Sequence, residues 1–262
     1  MTDKNATSKF QIHEAARDGK RNDYLKYTNE TANPKLADQK DDDERLPIHW
    51  AVSYGHLDIA ILLASQKNFD PDVQDGSGWT PLMIAVSLKE GEELVDLLLR
   101  KEADVNSKNF NGQVHFLRHN LYALPLVSTN TIPAKTALHF TASKNNLDVA
   151  RKLLDNKPPA STRVKDKRGQ YAIHRAAAVG SVPMVELLLK NRSPLNPSDI
   201  AGQTPLHHAI AEGHGDTAVA LLKAGAETDK KDVDGCLAME LAPDAQVRKF
   251  ILQTAEREGI DL

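Results

Sequence analysis

The feature that most constrains this chain is a four-residue signature, Thr204-Pro205-Leu206-His207, that recurs along its length. Slots that match it begin at Phe10, Leu46, Thr80, Thr136, Tyr171, Thr204 and Leu237. All but one of the intervals between neighbouring slots lie between 33 and 36 residues. A unit of this length cannot bury its own apolar face, so successive copies must stack to form a core. We therefore expect a long surface and no closed pocket, which favours binding over catalysis.

Each copy carries local signals for two antiparallel helices joined by tight turns. Thr80 can cap a helix N-terminus, and Pro81 suits the first helical turn, where no N–H partner is lost. Gly180 suits a helix end in the left-handed conformation, and Gly169 suits the turn before the next signature. A period near 33 residues with Thr-Pro-Leu-His is typical of the ankyrin repeat. The sequence predicts an all-α ankyrin-repeat solenoid of seven repeats with short β-hairpin turns.

The predicted repeats form one domain over residues 1–262. The final helix is expected from Ala245 to Thr254, with Val247, Phe250 and Ile251 facing inward. The last residues, Glu256 to Leu262, are expected to fray. The predicted repeat bounds are about 10–45, 46–79, 80–135, 136–170, 171–203, 204–236 and 237–255.

One interval, from Thr80 to Thr136, is 56 residues long. Removing residues 114–135 restores the period, and this 22-residue insert has no Asp or Glu in a chain that has 36. It is either a surface loop at a hairpin tip, where insertions are tolerated, or the translation of a retained in-frame intron. Both interpretations stay open. Transcripts that join Gln113 directly to Thr136 would favour the intron.

Composition excludes several classes of protein. A net charge of −3 argues against a nucleic-acid binder, which needs a concentrated basic surface. Cys236 is the only cysteine, so no intramolecular disulfide can form, and a reducing compartment fits. No apolar run approaches the ~18 residues of a membrane span. We expect a monomer in the cytoplasm, with nuclear access left open.

Five histidines recur at one slot of the repeat. They are unsuited to a shared metal, because stacked helices lie ~8–10 Å apart whereas metal–nitrogen bonds are ~2 Å long. We expect each to join the turn of one repeat to the next by hydrogen bonds. No phosphate-binding glycine loop is present, and Cys236 has no evident histidine partner. The sequence therefore predicts no catalytic residue, no metal, no cofactor and no enzyme. The five are His13, His49, His139, His174 and His207.

The turn tips and inner helices of this fold line one concave face, which is the expected binding surface. Both tryptophans fall near it, and Trp, Tyr and Arg are the residue types that anchor interfaces. Packing between hairpins is the competing interpretation for each tryptophan. Residues 38–44 are acidic and residues 165–168 are basic, which suits either a partner of reversed charge or simple solubility. The predicted partner contacts are Asp43, Arg45, Trp50, Tyr54, Asp75, Trp79, Lys89, Lys144, Arg175 and Glu212.

Several runs outside the repeat consensus resemble the gankyrin family, and two of them are more similar to its fungal members. The resemblance covers about residues 10–252 apart from the insert. The general runs are Ile48-His49-Trp50-Ala51, Ser77-Gly78-Trp79-Thr80-Pro81, Ser143-Lys144-Asn145 and Ile173-His174-Arg175-Ala176-Ala177. The fungal-like runs are Ala211-Glu212-Gly213-His214-Gly215-Asp216 and Gln246-Val247-Arg248-Lys249-Phe250.

The resemblance implies a chaperone for assembly of the proteasome regulatory particle. It implies that the concave face binds the C-terminal domain of one ATPase subunit of the base, and that the bound chaperone blocks premature docking of the core particle. Asp43 and Arg45 match the family's acidic-x-Arg tip, whereas Leu46 replaces the signature threonine. The alternative function is a general ankyrin-repeat adaptor, or an inhibitor of another protein such as a kinase or transcription factor.

Overall fold

The computed structural model describes residues 11–28, 37–110 and 135–260. The chain forms two compact units, unit 1 (Met1–Thr131) and unit 2 (Ile132–Leu262). In the described residues of both units, short helices alternate with turns, and the single extended pairing is the bridge between Lys231 and Leu237. The all-α prediction is confirmed, and the hairpins are reduced to tight turns. One domain over 1–262 stays a prediction, and the insert apart from Lys135 lies outside the described residues.

Unit 1 contains three helix pairs among its described residues. The first helices of the pairs pack on one another in chain order, and the second helices pack on one another in an outer row. Small residues such as Ala16, Ala51 and Ala85 are buried where the inner helices meet. The helices are α1 Gln11–Arg17, α2 Arg21–Thr28, α3 Pro47–Ser53, α4 Leu57–Ala64, α5 Pro81–Ser87 and α6 Glu92–Arg100.

Unit 2, taken by itself, has the same kind of arrangement, with four pairs among its described residues. In the last pair the inner helix shortens to a 3₁₀ turn, Ala238–Leu241, which packs on the inner helix of the pair before it. The helices are α7 Ala137–Lys144, α8 Leu147–Asp155, α9 Ala172–Ala178, α10 Val182–Lys190, α11 Pro205–Ala211, α12 Gly215–Lys223 and α13 Ala245–Arg257.

Helix α13 differs from its prediction in length and in the face it buries. It extends to Arg257, three residues beyond the predicted end, so the expected fraying does not begin at Glu256. Ile251 is buried as predicted, and Ala255 is buried with it. The inward position of Phe250 was wrong: its ring lies over Gly215 at the start of α12 and remains exposed. Among the described residues α13 packs on α12, and this contact leaves the ring partly exposed.

The signature histidines fix the helix starts and bridge successive repeats. In four of them Nδ1 accepts a hydrogen bond from the backbone N–H that precedes the helix, at distances of 3.0–3.3 Å. A backbone N–H can only donate, so the ring proton must lie on Nε2. In three of these rings that proton is donated onward to a carbonyl 23–31 residues away. The three bonds are His49 to Val73 (3.1 Å), His139 to Gln170 (3.0 Å) and His174 to Pro197 (3.1 Å).

The predicted bridging by histidine is therefore confirmed, with two variations. His13 Nε2 lies within hydrogen-bond distance of two carbonyls, those of Gln39 (2.9 Å) and Arg45 (3.1 Å). His207 keeps its Nδ1 contact, but its Nε2 has no hydrogen-bond partner within the described part of the chain. Burial is the largest cause lowering the pKa of His49, His139, His174 and His207. The neutral rings thus belong to the core.

Capping by the signature threonines is only partly as predicted. The Thr80 hydroxyl accepts from the Met83 N–H at 3.3 Å, in the repeat where methionine replaces the histidine. The hydroxyls of Thr136 and Thr204 instead lie 3.0 and 2.8 Å from the Nδ1 atoms of His139 and His207. In these two repeats the threonine hydroxyl therefore contacts the histidine ring and not the helix N–H groups.

Replacing Gly78 by alanine should destabilise unit 1 by about 2–3 kcal/mol. Gly78 has φ +76°, and an added Cβ would lie 2.4 Å from the backbone nitrogen of Phe110 on the next tip. Left-handed strain and displacement of that tip both oppose the folded state. Urea denaturation followed by tryptophan fluorescence measures the loss, because Trp50 and Trp79 both lie in unit 1.

Gly55 provides the matched control for this change. Its φ is +75°, and within the described residues nothing lies within 4 Å of an added Cβ. Gly55→Ala should therefore introduce backbone strain alone and cost about 1 kcal/mol. Equal losses in the two variants would contradict a contribution from the contact with Phe110.

Candidate functional site

The turn tips are organised by one aspartate in each. Its Oδ1 accepts hydrogen bonds from the backbone N–H groups two and four residues further on, at distances of 2.8–3.0 Å. The pattern is an extended Asx turn, in which a carboxylate holds the backbone it precedes. These hydrogen bonds hold the backbone of each tip in place and so position the side chains of the residues within the turn. The five aspartates are Asp41, Asp75, Asp166, Asp199 and Asp232.

The second carboxylate oxygen of three tips reaches the inner helix nine residues later. Asp41 Oδ2 accepts from Trp50 Nε1 at 2.7 Å, and Asp166 Oδ2 accepts from Arg175 Nη2 at 3.1 Å. In the third, His208 Nε2 lies 3.0 Å from Oδ2 of Asp199. The tip therefore fixes the side chain that follows the signature histidine. Tip and inner helix in each of these repeats form one surface.

In unit 1 this arrangement holds Arg45 in a defined position. Its Nε donates to Asp75 Oδ2 at 3.2 Å, and its guanidinium lies over the Trp50 ring, 4.9 Å from the centroid. The Asp75 side chain is only 2% exposed, and its other oxygen accepts from the N–H groups of Ser77 and Trp79. A cation above a tryptophan face is favourable, and more so when partly desolvated. Arg45 is thus prepositioned without a partner present.

Next to Arg45 lies a surface of aromatic and acidic side chains, which we call the unit 1 patch: Asp42, Asp43, Trp50 and Tyr54. Tyr54 stacks on Trp50 with ring centroids 6.2 Å apart, and its side chain is 57% exposed. Asp42 and Asp43 are exposed on the tip, whereas Trp50 is half-buried. A large exposed tyrosine on a supported ring is the type of group that anchors an interface.

Unit 2 presents a basic surface around Arg175. Its Nη2 pairs with the buried Asp166, while its Nε is buried with no hydrogen-bond partner in the described residues. Lys165 Nζ lies 5.5 Å from the Tyr171 ring centroid, and Lys135 Nζ lies 5.6 Å from that of Phe140. Burial lowers the pKa of Lys135, and the charge of Arg175 lowers it further. These cations suit an acidic partner.

The structure distributes the ten predicted contacts unevenly. In unit 1, Asp43, Arg45, Trp50 and Tyr54 lie together, while Asp75 lies beneath them and reaches the surface through Arg45. Trp79 is half-buried, and Lys89 is exposed in the turn after α5. In unit 2, Lys144 and Glu212 are exposed at the ends of α7 and α11, and Arg175 is half-buried. Their contact with a partner stays a prediction.

Sequence reasoning missed the residues that hold this surface in place. They are Asp41, Asp166, Asp199 and His208. A signal was available, since each tip aspartate precedes its helical partner by nine residues in those three repeats. The motif Asp-x8 followed by Trp, Arg or His marks a tip that is tied to its helix.

The described residues contain no group of three or more His, Cys, Asp or Glu side chains placed to hold a metal ion. In the same residues, every helix is too short or too polar to cross a membrane.

Comparison with known proteins gives consistent similarities. The family model described as ankyrin repeats (3 copies) matches residues 12–109, 114–191 and 138–232. A probable 26S proteasome regulatory subunit p28 of Saccharomyces cerevisiae is 37% identical over 251 residues, covering 94% of this chain and 98% of that protein. An ankyrin repeat-containing protein of Schizosaccharomyces pombe is 37% identical over 231 residues, covering 87% and 89%.

Two further matches support less, because one covers a short part of the chain and the other has low sequence identity. The 26S proteasome non-ATPase regulatory subunit 10 of Dictyostelium discoideum is 43% identical over 68 residues, covering 26% of this chain and 29% of that protein. The crystal structure of the human ASB11 ankyrin repeat domain has a TM-score of 0.72 at 18% identity, covering 92% of this chain and 96% of that one. At that identity the structural likeness supports the fold alone.

Proposed function

This chain belongs to the gankyrin family of ankyrin-repeat proteins, and on that premise we propose that it is an assembly chaperone of the 26S proteasome regulatory particle. The observation that carries the proposal is the match to p28, which extends over nearly the whole length of both proteins. A likeness due to repeat consensus alone would not need to include both ends. The protein acts by binding, with no catalytic step.

The proposed partner is the C-terminal domain of an ATPase subunit of the regulatory-particle base. The unit 1 patch, with Arg45 beside it, supplies an aromatic anchor and exposed carboxylates. The cations around Arg175 supply the opposite charge in unit 2. Each of these surfaces selects a partner segment of opposite charge, because like charges brought together are costly. The bulk of the bound chaperone then hinders docking of the core particle. We place this activity in the cytoplasm, with access to the nucleus.

Affinity capture from native lysate tests the proposed function. The full chain should recover a proteasomal ATPase subunit together with other base subunits, and no mature core particle. Recovery of a kinase or transcription factor without any ATPase subunit would instead support the adaptor alternative.

Replacing Tyr54 by alanine should weaken binding to the captured ATPase subunit about tenfold while leaving the melting temperature unchanged. The side chain is largely exposed, so its removal opens no cavity, whereas an interface built on it would lose its anchor. Binding is measured by titrating each chain variant with the purified subunit.

Ile61→Ala is the matched control for Tyr54→Ala. Ile61 is 47% exposed on the outer helix α4 of the same unit. Its removal should leave the affinity within about twofold of the original. Similar losses at both positions would rule out the unit 1 patch as the contact.

A further inference from the structure

Two large aliphatic side chains lie exposed on neighbouring tips of unit 2. Ile200 is 72% exposed and Val233 is 70% exposed. Each occupies the same place in its tip, directly after the buried aspartates Asp199 and Asp232. We call this pair the aliphatic tip strip.

The fold itself does not require apolar side chains at this place. In three other tips the corresponding residues are Asp42, Gly76 and Lys167, directly after Asp41, Asp75 and Asp166. All of these tips keep the same Asx turn, whether the slot holds a charge or no side chain at all. Ile200 and Val233 therefore contribute little to the turn. Their exposure to water is also unfavourable, because apolar surface has a lower free energy when it is buried.

Backbone hydrogen bonds hold the two side chains in a fixed arrangement. The Ile200 N–H donates to the Arg168 carbonyl at 2.9 Å, and the Val233 N–H donates to the Ala201 carbonyl at 3.0 Å. Each tip is thereby joined to the one before it. The strip is presented ready for contact, so little ordering entropy would be lost when a partner covers it.

The charges around the strip indicate the chemistry of its occupant. Lys231, on the tip of Val233, and Lys165 and Arg168, on the tip that precedes Ile200, are exposed cations. Asp166, Asp199 and Asp232 are buried in their turns, which leaves Asp234 as the exposed carboxylate among residues 165–168, 198–201 and 231–234. The strip is thus apolar at its centre and mainly basic at its edge.

Resting on the proposed function, we propose that the aliphatic tip strip docks a segment of the proteasomal ATPase subunit that carries apolar side chains flanked by carboxylates. Covering Ile200 and Val233 supplies affinity, since an apolar side chain moved out of water is strongly favourable. The surrounding lysines and arginine orient the acidic flanks and speed association. On this proposal, the partner specificity of unit 2 depends on Ile200 and Val233, two apolar residues that the repeat fold does not require.

Substitution by lysine separates apolar docking from charge attraction. Lys167 already occupies this slot in the preceding tip, so Ile200→Lys with Val233→Lys is compatible with the turn. If charge alone attracted the acidic segment, two added cations would tighten binding. If the apolar strip docks, the double variant binds the ATPase subunit at least about tenfold more weakly despite its added charge.

The measurement is the Kd of the full chain for the ATPase subunit that the original protein captures, with the melting temperature taken in parallel. Leu252→Lys, an exposed aliphatic residue on the outer helix α13 and away from the tips, is the matched control and should retain the original Kd. If the melting temperature of the double variant falls, Ile200→Thr with Val233→Thr, which keeps β-branching, replaces it and should also bind more weakly.

The outcomes distinguish this inference from the function on which it rests. Unchanged or tighter binding by the double variant, with the original protein binding normally, overturns the aliphatic tip strip and leaves the proposed function intact. Failure of the original protein to bind any ATPase subunit rejects the proposed function, and the strip's assigned partner with it.

Discussion

Between pH 6.5 and pH 4 the protein is expected to lose several kcal/mol of stability. Buried neutral histidines cause this loss: the pKa of His174 is lowered to about 4, and burial also lowers the pKa values of His49, His139 and His207. In the unfolded chain these rings titrate near their ordinary pKa of about 6.5. Below that pH the unfolded chain binds protons that the folded chain does not, and stability falls as pH falls.

The size of the effect follows from the gap between the two pKa values. At about 1.4 kcal/mol per pH unit, His174 alone accounts for about 3 kcal/mol by pH 4. Above about pH 7 its stabilising contribution is fully present. The lowered pKa values of Asp199 and Asp232 act in a lower window, since their contribution disappears only as the pH falls below their ordinary pKa near 3.8. The histidine loss should therefore come first on acidification.

Urea denaturation at a series of pH values tests this expectation with two probes. Circular dichroism reports both units, whereas tryptophan fluorescence reports unit 1, which contains both tryptophans. Three of the four histidines with lowered pKa lie in unit 2 and only His49 lies in unit 1. The circular dichroism midpoint should fall further than the fluorescence midpoint between pH 7 and pH 5. If the free energy of unfolding stays constant over this range, the buried histidines are not neutral in the folded protein as expected.

Replacing His174 by alanine should destabilise the protein by about 3 kcal/mol at pH 7.5. The ring makes two hydrogen bonds, accepting from the Tyr171 N–H at 3.0 Å and bonding the Pro197 carbonyl at 3.1 Å. It also stacks against Tyr171 and meets the edge of His208. Alanine leaves a buried N–H and a carbonyl unpaired and opens a cavity between two repeats. Urea denaturation followed by circular dichroism measures the loss.

His214→Ala is the matched control for His174→Ala. His214 lies in the same unit, is half-buried and makes a single hydrogen bond, to the Ala178 carbonyl at 3.1 Å. Its removal should cost about 1 kcal/mol, because the carbonyl can be reached by water. The stability of His174→Ala should also depend less on pH between 7 and 5 than that of the original protein. If the two variants lose similar amounts of stability, the hydrogen bonds of His174 between repeats contribute no more than an ordinary half-buried histidine.

The candidate site was less predictable from sequence than the fold. Tyr54 and Asp43 were placed correctly on the surface, because their slots in the repeat face outward. Asp75 occupies a different slot, that of the aspartate that organises each tip, and its carboxylate is buried between its own turn and Arg45, 30 residues earlier. Phe250 follows an inward-facing pattern, yet its ring lies exposed beside Gly215. The burial of Asp75 follows in part from its own Asx turn, whereas its pairing with Arg45 depends on the neighbouring repeat.

The sequence by itself determined the all-α repeat, the helix starts, the left-handed glycines such as Gly180, and the bridging histidines. These depend on interactions within a few residues, or on a buried ring that must find polar partners wherever the next repeat supplies them. Only the tertiary structure decided how Arg45 is fixed by Asp75, and that Ile200 and Val233 stand exposed on adjoining tips. Those outcomes depend on groups about 30 residues apart in sequence, whose packing no local propensity specifies.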